Sequence, residues 1–187
     1  MSEKSLIEKH FSKELKQIKS MTLSNIVRTA LENVSDDFWK MSASSSGVNH
    51  PKTSNGCGGQ ITHIKSAFWI AHTLCGVAPV SERTKDLILS AILLHDIEKK
   101  SHNIDSHAKC GAIAVEKIMH DMHNRKVLSF DFPMDQRKSL LRLVENHMGH
   151  YGDNYNPGNI DEFIVHAADM IASRKWCEFN AKEIGNF

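Results

Sequence analysis

The sequence predicts an all-α protein of six or seven helices, and two patterns in its 187 residues carry the prediction. Apolar side chains recur at helical spacing along most of the chain. No segment combines sustained period-two alternation with β-branched residues, as a strand would. Segments rich in Ser, Gly, Asn or Pro separate the periodic ones. The predicted helices span residues 5–19, 22–34, 60–76, 83–99, 107–124, 134–149 and 160–179.

The first two predicted helices each carry an apolar stripe flanked by charged residues. In chain order, these stripes consist of Leu6, Phe11, Leu15 and Ile18, and of Leu23, Ile26, Val27, Ala30 and Leu31. Ser and Thr residues near both starts are suitable N-caps. We expect these helices, within residues 1–40, to pack on the rest of a single domain that spans residues 1–187.

Residues 42–59 have the sequence SASSSGVNHPKTSNGCGG, whose Ser, Gly, Asn and Pro content predicts a loop. A loop of this length inside a compact domain is usually functional or mobile. Two interpretations therefore stay open. The loop either covers a pocket, with His50 contacting a substrate, or is a plain flexible linker.

Five further helices form the predicted core, residues 60–179. They are separated by Gly76 with Pro79, by the segment SHNIDS, by Pro133 and by the segment GDNYNPGN. On three of these helices an ionisable residue continues the apolar stripe, where the side chain should face the core. These residues are the pair His95-Asp96, His147 and Asp169.

A buried carboxylate without a cation is very costly, so Asp96 and Asp169 each need an Arg, a Lys or a metal ion nearby. A buried histidine by itself is usually a neutral, hydrogen-bonded core residue. A shared metal ion would satisfy the carboxylates and histidines of three helices at once, and imidazole with carboxylate suits Mn, Fe, Zn and similar ions. The twelve histidines of the chain agree with this interpretation.

The overall composition excludes several function classes. A total of 23 Lys and Arg against 22 Asp and Glu leaves a net charge of +1, without the bias typical of nucleic-acid or membrane binding. The most apolar stretch, residues 67–80, is too short to span a bilayer. The N-terminal MSEKSLIEKH lacks the apolar core of a secretory signal, and the four Cys form no C-x-x-C pair, so we expect a cytoplasmic protein.

The order and flanks of the ionisable residues resemble the HD-domain superfamily of metal-dependent phosphohydrolases. His63, then His95-Asp96, then Asp169 are similar to its H…HD…D signature. Three local sequences resemble the family as well, namely GGQITHIKSAFWIAHTL, ILLHDIEK and EFIVHAADMIASRK. The resemblance covers residues 40–178 and implies a compact HD-domain helical bundle. Glu98 departs from the family pattern, because Gly is frequent at that position.

Two further segments are similar to dinuclear members of the family, among them HD-type diadenosine tetraphosphatases. They are HAKCGA, which begins at His107, and ENHMGHYGD, which contains His147 and His150. The second segment is also similar to that of HD-type 3′–5′ exoribonucleases. The resemblance implies one or two divalent ions (Mn, Fe, Ni, Co or Zn). The implied ligands are His63, His95, Asp96 and Asp169 for the first ion, and His107, His147 and a bridging Asp96 for the second, with His150 as the rival of His147.

The activity implied by the resemblance is hydrolysis of a phosphoester or phosphoanhydride bond of a nucleotide-like substrate by a metal-activated hydroxide. The implied catalytic residues are Asp96 and Lys99, and the implied substrate-binding residues are Lys99, His150, Arg174 and His50. A solvated helix-end lysine and a surface salt bridge are the ordinary alternatives for Lys99 and Arg174. His166 lies three residues before Asp169, so we expect it to make a supporting hydrogen bond next to the metal ligands rather than to bind metal.

A small phosphorylated substrate, such as a nucleotide, a cyclic nucleotide or a dinucleoside polyphosphate, is the expected partner. One alternative is a 3′–5′ exonuclease or phosphodiesterase on short single-stranded nucleic acid. The 7% aromatic content, the absence of a basic run and the lack of room for an added nucleic-acid-binding domain do not favour it. The other alternative is a non-catalytic, nucleotide-binding regulatory HD protein, in which some ligand residues would be expected to be lost.

Overall fold

The computed structural model describes residues 3–44, 50–99, 107–126, 132–151, 155–156 and 158–175. Within these residues the chain is all-helical, without a strand, so the predicted fold class is confirmed. Each of the seven segments with helical spacing contains one α-helix. The helices are α1 (Glu3–Leu15), α2 (Met21–Glu32), α3 (Gly59–Val77), α4 (Glu82–Leu94), α5 (His107–Asn124), α6 (Met134–Glu145) and α7 (Ile160–Ala172).

Helix α4 lies at the centre of the molecule and packs against α2, α3, α6 and α7. Every residue of α4 from Asp86 to Leu94 is buried, because a helix enclosed by others is apolar on most of its circumference. His95 and Asp96 follow α4 directly, so they emerge in the middle of the bundle. None of the described helices combines the length and the apolar character needed to cross a membrane.

Two buried carboxylates tie the N-terminal helices to the remaining ones. Asp86 of α4 accepts hydrogen bonds from the backbone N–H groups of Lys19 (3.0 Å) and Ser20 (2.7 Å), just before α2 begins. Glu14 of α1 accepts a hydrogen bond from the Trp69 indole at 3.0 Å and pairs with Lys65 at 3.1 Å, both on α3. One hydrophobic cluster accordingly extends from α1 to α7.

Helices α4 and α6 end earlier than the predicted segments 83–99 and 134–149. Helix α4 ends at Leu94 and α6 at Glu145. In both places a histidine side chain bonds back to the helix: His95 Nδ1 donates to the Ile92 carbonyl and His147 Nδ1 to the Val144 carbonyl, each at 2.7 Å. These bonds satisfy carbonyls of the last turn, which a helix end leaves without a partner. The metal-ligand candidates therefore lie in turns immediately after the helices.

The described part of the predicted loop 42–59 is anchored to the start of α3. The backbone N–H of Gly58 donates to Lys40 O at 2.9 Å, and that of Ala43 donates to Ser54 O at 3.0 Å. A Cβ added to Gly59 would lie 2.0 Å from Ser54 O, so the backbone approaches here as only a glycine allows. A short 3₁₀ helix, Lys52–Ser54, completes this part of the loop.

Candidate metal centre

The six predicted metal ligands lie together at the centre of the bundle. His63 comes from α3, His95 and Asp96 follow α4, His107 is the first residue of α5, His147 follows α6 and Asp169 lies on α7. All six are buried, and the most exposed of them, Asp169, is 8% exposed. We call these six residues the metal centre. Five helices therefore contribute to one buried polar cluster.

The first histidine pair consists of His63 and His95. Their Nε2 atoms lie 3.3 Å apart. Asp169 Oδ1 lies 3.0 Å from His63 Nε2 and 3.7 Å from His95 Nε2. Two nitrogens and one carboxylate oxygen therefore converge on one small volume.

The second histidine pair consists of His107 and His147, whose Nε2 atoms lie 3.1 Å apart. His150, the rival candidate, is exposed. Its ring lies 5.1 Å from that of Tyr155 and 6.1 Å from that of His166, measured between ring centroids. The structure therefore brings His147, and not His150, to His107.

Asp96 lies between the two histidine pairs and turns one carboxylate oxygen to each. Its Oδ2 is 3.5 Å from His95 Nε2 and 3.9 Å from His63 Nε2. Its Oδ1 is 3.3 Å from His107 Nε2 and 3.8 Å from His147 Nε2. Each pair together with Asp96 offers three ligand atoms within 4.8 Å of one another. The two groups share Asp96, and each could hold one metal ion.

The hydrogen bonds of two histidines determine which ring nitrogen is available. A backbone carbonyl only accepts, so the Nδ1 atoms of His95 and His147 must carry the hydrogens that Ile92 O and Val144 O receive. The Nε2 atoms of the neutral rings then present lone pairs to the centre. A backbone carbonyl that fixes the tautomer in this way is common for metal-bound histidines.

The protonation states also suit metal binding. Burial lowers the pKa of His147 to about 4 and lowers that of His95, so both rings are neutral at pH 7. Burial alone would raise the pKa of Asp96, but Lys99 and the histidines around it hold that pKa well below its usual range. Burial likewise opposes ionisation of Asp169, but the His63 hydrogen bond and the electrostatic attraction of His95, His63 and His147 together outweigh it, so the Asp169 pKa is also lowered. Neutral imidazoles and ionised carboxylates are the forms that bind metal.

The donor set therefore fits a divalent cation. In each group three buried ligand atoms lie close enough together to surround one cation, which would offset the charge of the buried carboxylates. Mixed nitrogen and oxygen ligands suit Mn, Fe, Co, Ni or Zn. The geometry supports a metal site, and the identity of the metal stays open.

Lys99 and Gln60 contact Asp96 directly. Lys99 Nζ lies 2.8 Å from Asp96 Oδ2, and Gln60 Nε2 donates to the same oxygen at 3.0 Å. Burial lowers the pKa of Lys99, but the Asp96 carboxylate more than compensates, so the pKa is raised and the ammonium stays charged. The sequence interpretation did not single out Gln60. Its position one helical turn before His63 on α3 is the signal that could have found it.

His50 reaches the metal centre from the loop. Its ring centroid lies 5.2 Å from that of His63. Burial lowers the pKa of His50 to about 4, so the ring is neutral at pH 7. The described part of the loop thus brings His50 against His63, while residues 45–49 fall outside the described residues.

The remaining candidates lie outside the ligand cluster. Arg174 lies beyond the end of α7 and is exposed, so nothing in its position links it to the centre. His166 Nδ1 donates to the backbone carbonyl of His147 at 3.0 Å, which places it behind a ligand rather than among the ligands.

Comparison of the chain with protein-family models, with curated proteins and with solved structures finds no significant match. The functional interpretation therefore depends on the geometry of the metal centre and on the local sequences around it.

Proposed function

We propose that the chain is a metal-dependent phosphohydrolase that cleaves a phosphoester or phosphoanhydride bond of a nucleotide-like substrate. One observation carries the proposal: Asp96 lies between two histidine pairs and offers one oxygen to each. Paired metal sites with a shared carboxylate suit displacement at phosphorus, where both the attacking and the leaving oxygen need charge stabilisation. The resemblance to HD-domain phosphohydrolases supports the same chemistry.

The residues that would hold the ions are His63, His95, Asp96 and Asp169 on one side and Asp96, His107 and His147 on the other. Bound divalent ions supply an activated water at neutral pH and offset the charge that develops on phosphate oxygens. The chain itself keeps the His95 and His147 rings neutral and buries the centre away from bulk water, which strengthens every electrostatic interaction in the site.

Charge explains why an anionic substrate would bind to the loaded centre. With Asp96 and Asp169 ionised and Lys99 protonated, these three side chains carry one net negative charge. One divalent ion would reverse the sign, and a second would make the centre more positive still. Lys99, whose side chain is 23% exposed, then offers its ammonium group to a phosphate oxygen at the edge of the centre.

A small nucleotide suits this centre better than a long nucleic acid. The net charge is only +1, and a groove that tracks a polynucleotide backbone is normally strongly basic.

The test is a substrate panel of mono-, di-, tri-, cyclic and dinucleoside phosphates together with short oligonucleotides, each assayed with Mn, Fe, Co, Ni and Mg. We expect hydrolysis of at least one small nucleotide, loss of that activity with a chelator, and loss of it in the double variant H95A/D96A. His120→Ala, at an exposed histidine of α5, is the matched control and should retain full activity.

Activity that survives in H95A/D96A would contradict the proposal, because the chemistry would then lie elsewhere. If wild-type protein binds a nucleotide tightly and hydrolyses no member of the panel, the non-catalytic regulatory function is correct instead. Preferential hydrolysis of oligonucleotides would favour the exonuclease alternative.

A further inference from the structure

The two histidine pairs are held in different ways. His63 lies within the regular backbone of α3, and His95 follows the fully buried end of α4. His107 and His147 both lie at helix ends, one at the first residue of α5 and one in the turn after α6, and neither of these helices is as fully buried as the end of α4. A ligand in a turn needs contacts from other elements to fix its position.

Glu162 of α7 supplies such contacts to the connection between α6 and α7. It is 2% exposed, and four groups donate to its carboxylate. Its Oε2 accepts from Asn146 Nδ2 at 3.1 Å and from the backbone N–H of Asn156 at 2.9 Å. Its Oε1 accepts from Asn159 Nδ2 at 2.9 Å and from the guanidinium of Arg142. Through these hydrogen bonds Glu162 connects the end of α6 to the residues that directly precede α7.

Asn146 is the residue immediately before His147, so the Glu162 hydrogen bond acts one peptide unit from a metal-ligand candidate. One helical turn further along α7, His166 donates to the backbone carbonyl of His147 at 3.0 Å. A Cβ on Gly149, whose φ is +60°, would lie 2.2 Å from the His166 ring, so this turn lies flat against α7. Contacts from α7 thus fix the backbone on both sides of His147.

We propose that Glu162 is a positioning residue for the second histidine pair and that it sets the metal affinity of that pair separately from the first. Its hydrogen bond to Asn146, supported by the contact of His166, holds His147 where its Nε2 meets His107. The ion pair with Arg142 keeps the carboxylate charged and oriented inside the protein. The inference depends on the metal centre of the proposed function but not on hydrolysis.

Replacement of Glu162 by Gln disturbs this arrangement in a defined way. Four donors face the carboxylate, whereas an amide has one accepting oxygen and one donating nitrogen. Because Arg142 attracts the amide oxygen, the NH₂ group would face the donors of Asn146 and Asn156. We therefore expect E162Q to release the turn that carries His147 while the first histidine pair stays in place.

The experiment is titration calorimetry of the full chain with Mn²⁺ and Co²⁺, with the melting temperature of each metal-free variant measured alongside. His107→Ala and His63→Ala assign the two binding phases, since each removes one ligand from one pair. E162Q and the milder N146A should lower the metal affinity of the second phase by about tenfold to a hundredfold, which is the usual effect of losing a group that orients a ligand. The metal affinity of the first phase should not change. D161N is the matched control, because Asp161 pairs with Arg142 at 2.5 Å and bonds neither Asn146 nor Asn156 in the structure.

A purely structural role for Glu162 would lower the melting temperature and weaken both phases together, and this result would overturn the proposal. Second-phase affinities of E162Q and N146A equal to that of D161N would overturn it as well, as would a wild-type chain that binds no second ion. If E162Q does not fold, the N146A titration decides alone. A lack of nucleotide hydrolysis would contradict the proposed function and leave these titrations valid.

Discussion

Lys99 places a charged ammonium group 2.8 Å from the Asp96 oxygen that faces the first histidine pair. The structure thereby favours a role in the site over that of a solvated helix-end lysine. Its side chain is only 23% exposed, and its raised pKa keeps it cationic throughout the neutral range. In the proposed function this charged group would bind a phosphate oxygen without any change of protonation.

Lys99→Met should retain metal binding and slow hydrolysis. A charge-assisted hydrogen bond contributes about 1.5–3 kcal/mol, so kcat/KM should fall by about tenfold to a hundredfold. Steady-state kinetics and metal content measured on the same preparation check this. Lys109→Met, at an exposed lysine of α5, is the control. An unchanged kcat/KM in K99M would contradict this prediction and would indicate that Lys99 has only a structural role.

Individual residues also show which parts of the candidate site could be predicted from the sequence. Asp96 and Asp169 could be found because a carboxylate on an apolar stripe requires a cation. The choice between His147 and His150 could not be made, since it depends on where α6 ends and on the bond from His147 Nδ1 to Val144 O. Glu162 was missed, because an acidic residue in the first turn of a helix is ordinary and two of its four donors, Arg142 and Asn146, come from the end of α6.

The sequence predicts the positions of the helices better than it predicts where they end. Hydrophobic periodicity locates α4 and α6, but it extends past their ends because His95 and His147 continue the apolar stripe after the helical backbone has stopped. Only the bonds of these side chains to Ile92 O and Val144 O show where each helix ends. The same bonds direct the Nε2 atoms to the centre, so the helix ends are part of the site.

At the start of α3 the backbone of Gly59 lies close to the Ser54 carbonyl, and a substitution of Gly59 should test this contact. Gly59→Ala would place a Cβ 2.0 Å from Ser54 O, which belongs to the backbone and cannot rotate away. We expect a loss of about 3 kcal/mol in the free energy of unfolding, at the upper end of overpacking effects.

Gly76→Ala is the matched control on the same helix. A Cβ there meets nothing within 4 Å, so the variant should be more stable by about 0.5–1 kcal/mol, the helical preference for Ala over Gly. Urea unfolding of both variants measures their free energies of unfolding and tests the two predictions. Equal stabilities for G59A and G76A would contradict the anchored geometry of the loop.

The whole molecule should lose stability on mild acidification when it is free of metal. Burial lowers the pKa of His147 to about 4 and also lowers that of His95, whereas an unfolded chain protonates histidine near 6.5. Between these values the unfolded chain binds protons that the folded chain does not, so the free energy of unfolding decreases as the pH falls through this range.

Urea unfolding of chelator-treated protein at several pH values from about 7 to about 5 measures this dependence. We expect the free energy of unfolding to decrease steadily over that range. A constant value would show that the buried histidines do not resist protonation in the folded state.

The bundle as a whole brings residues from five helices to one carboxylate, and a shared Asp96 is the central feature of this arrangement. If it bridges two ions, its loss must affect both sites, whereas the loss of His107 must affect only one. Wild-type protein should also melt at a higher temperature with metal than without it, because ions that bind the folded state stabilise it.

The most direct measurement is the metal-to-protein ratio of protein purified without chelator and reconstituted with Mn²⁺ or Co²⁺. The predicted values are two ions per chain for wild type and for the control H120A, one for H107A and none for D96N. A D96N chain that binds as many ions as the wild type would contradict the shared-carboxylate centre.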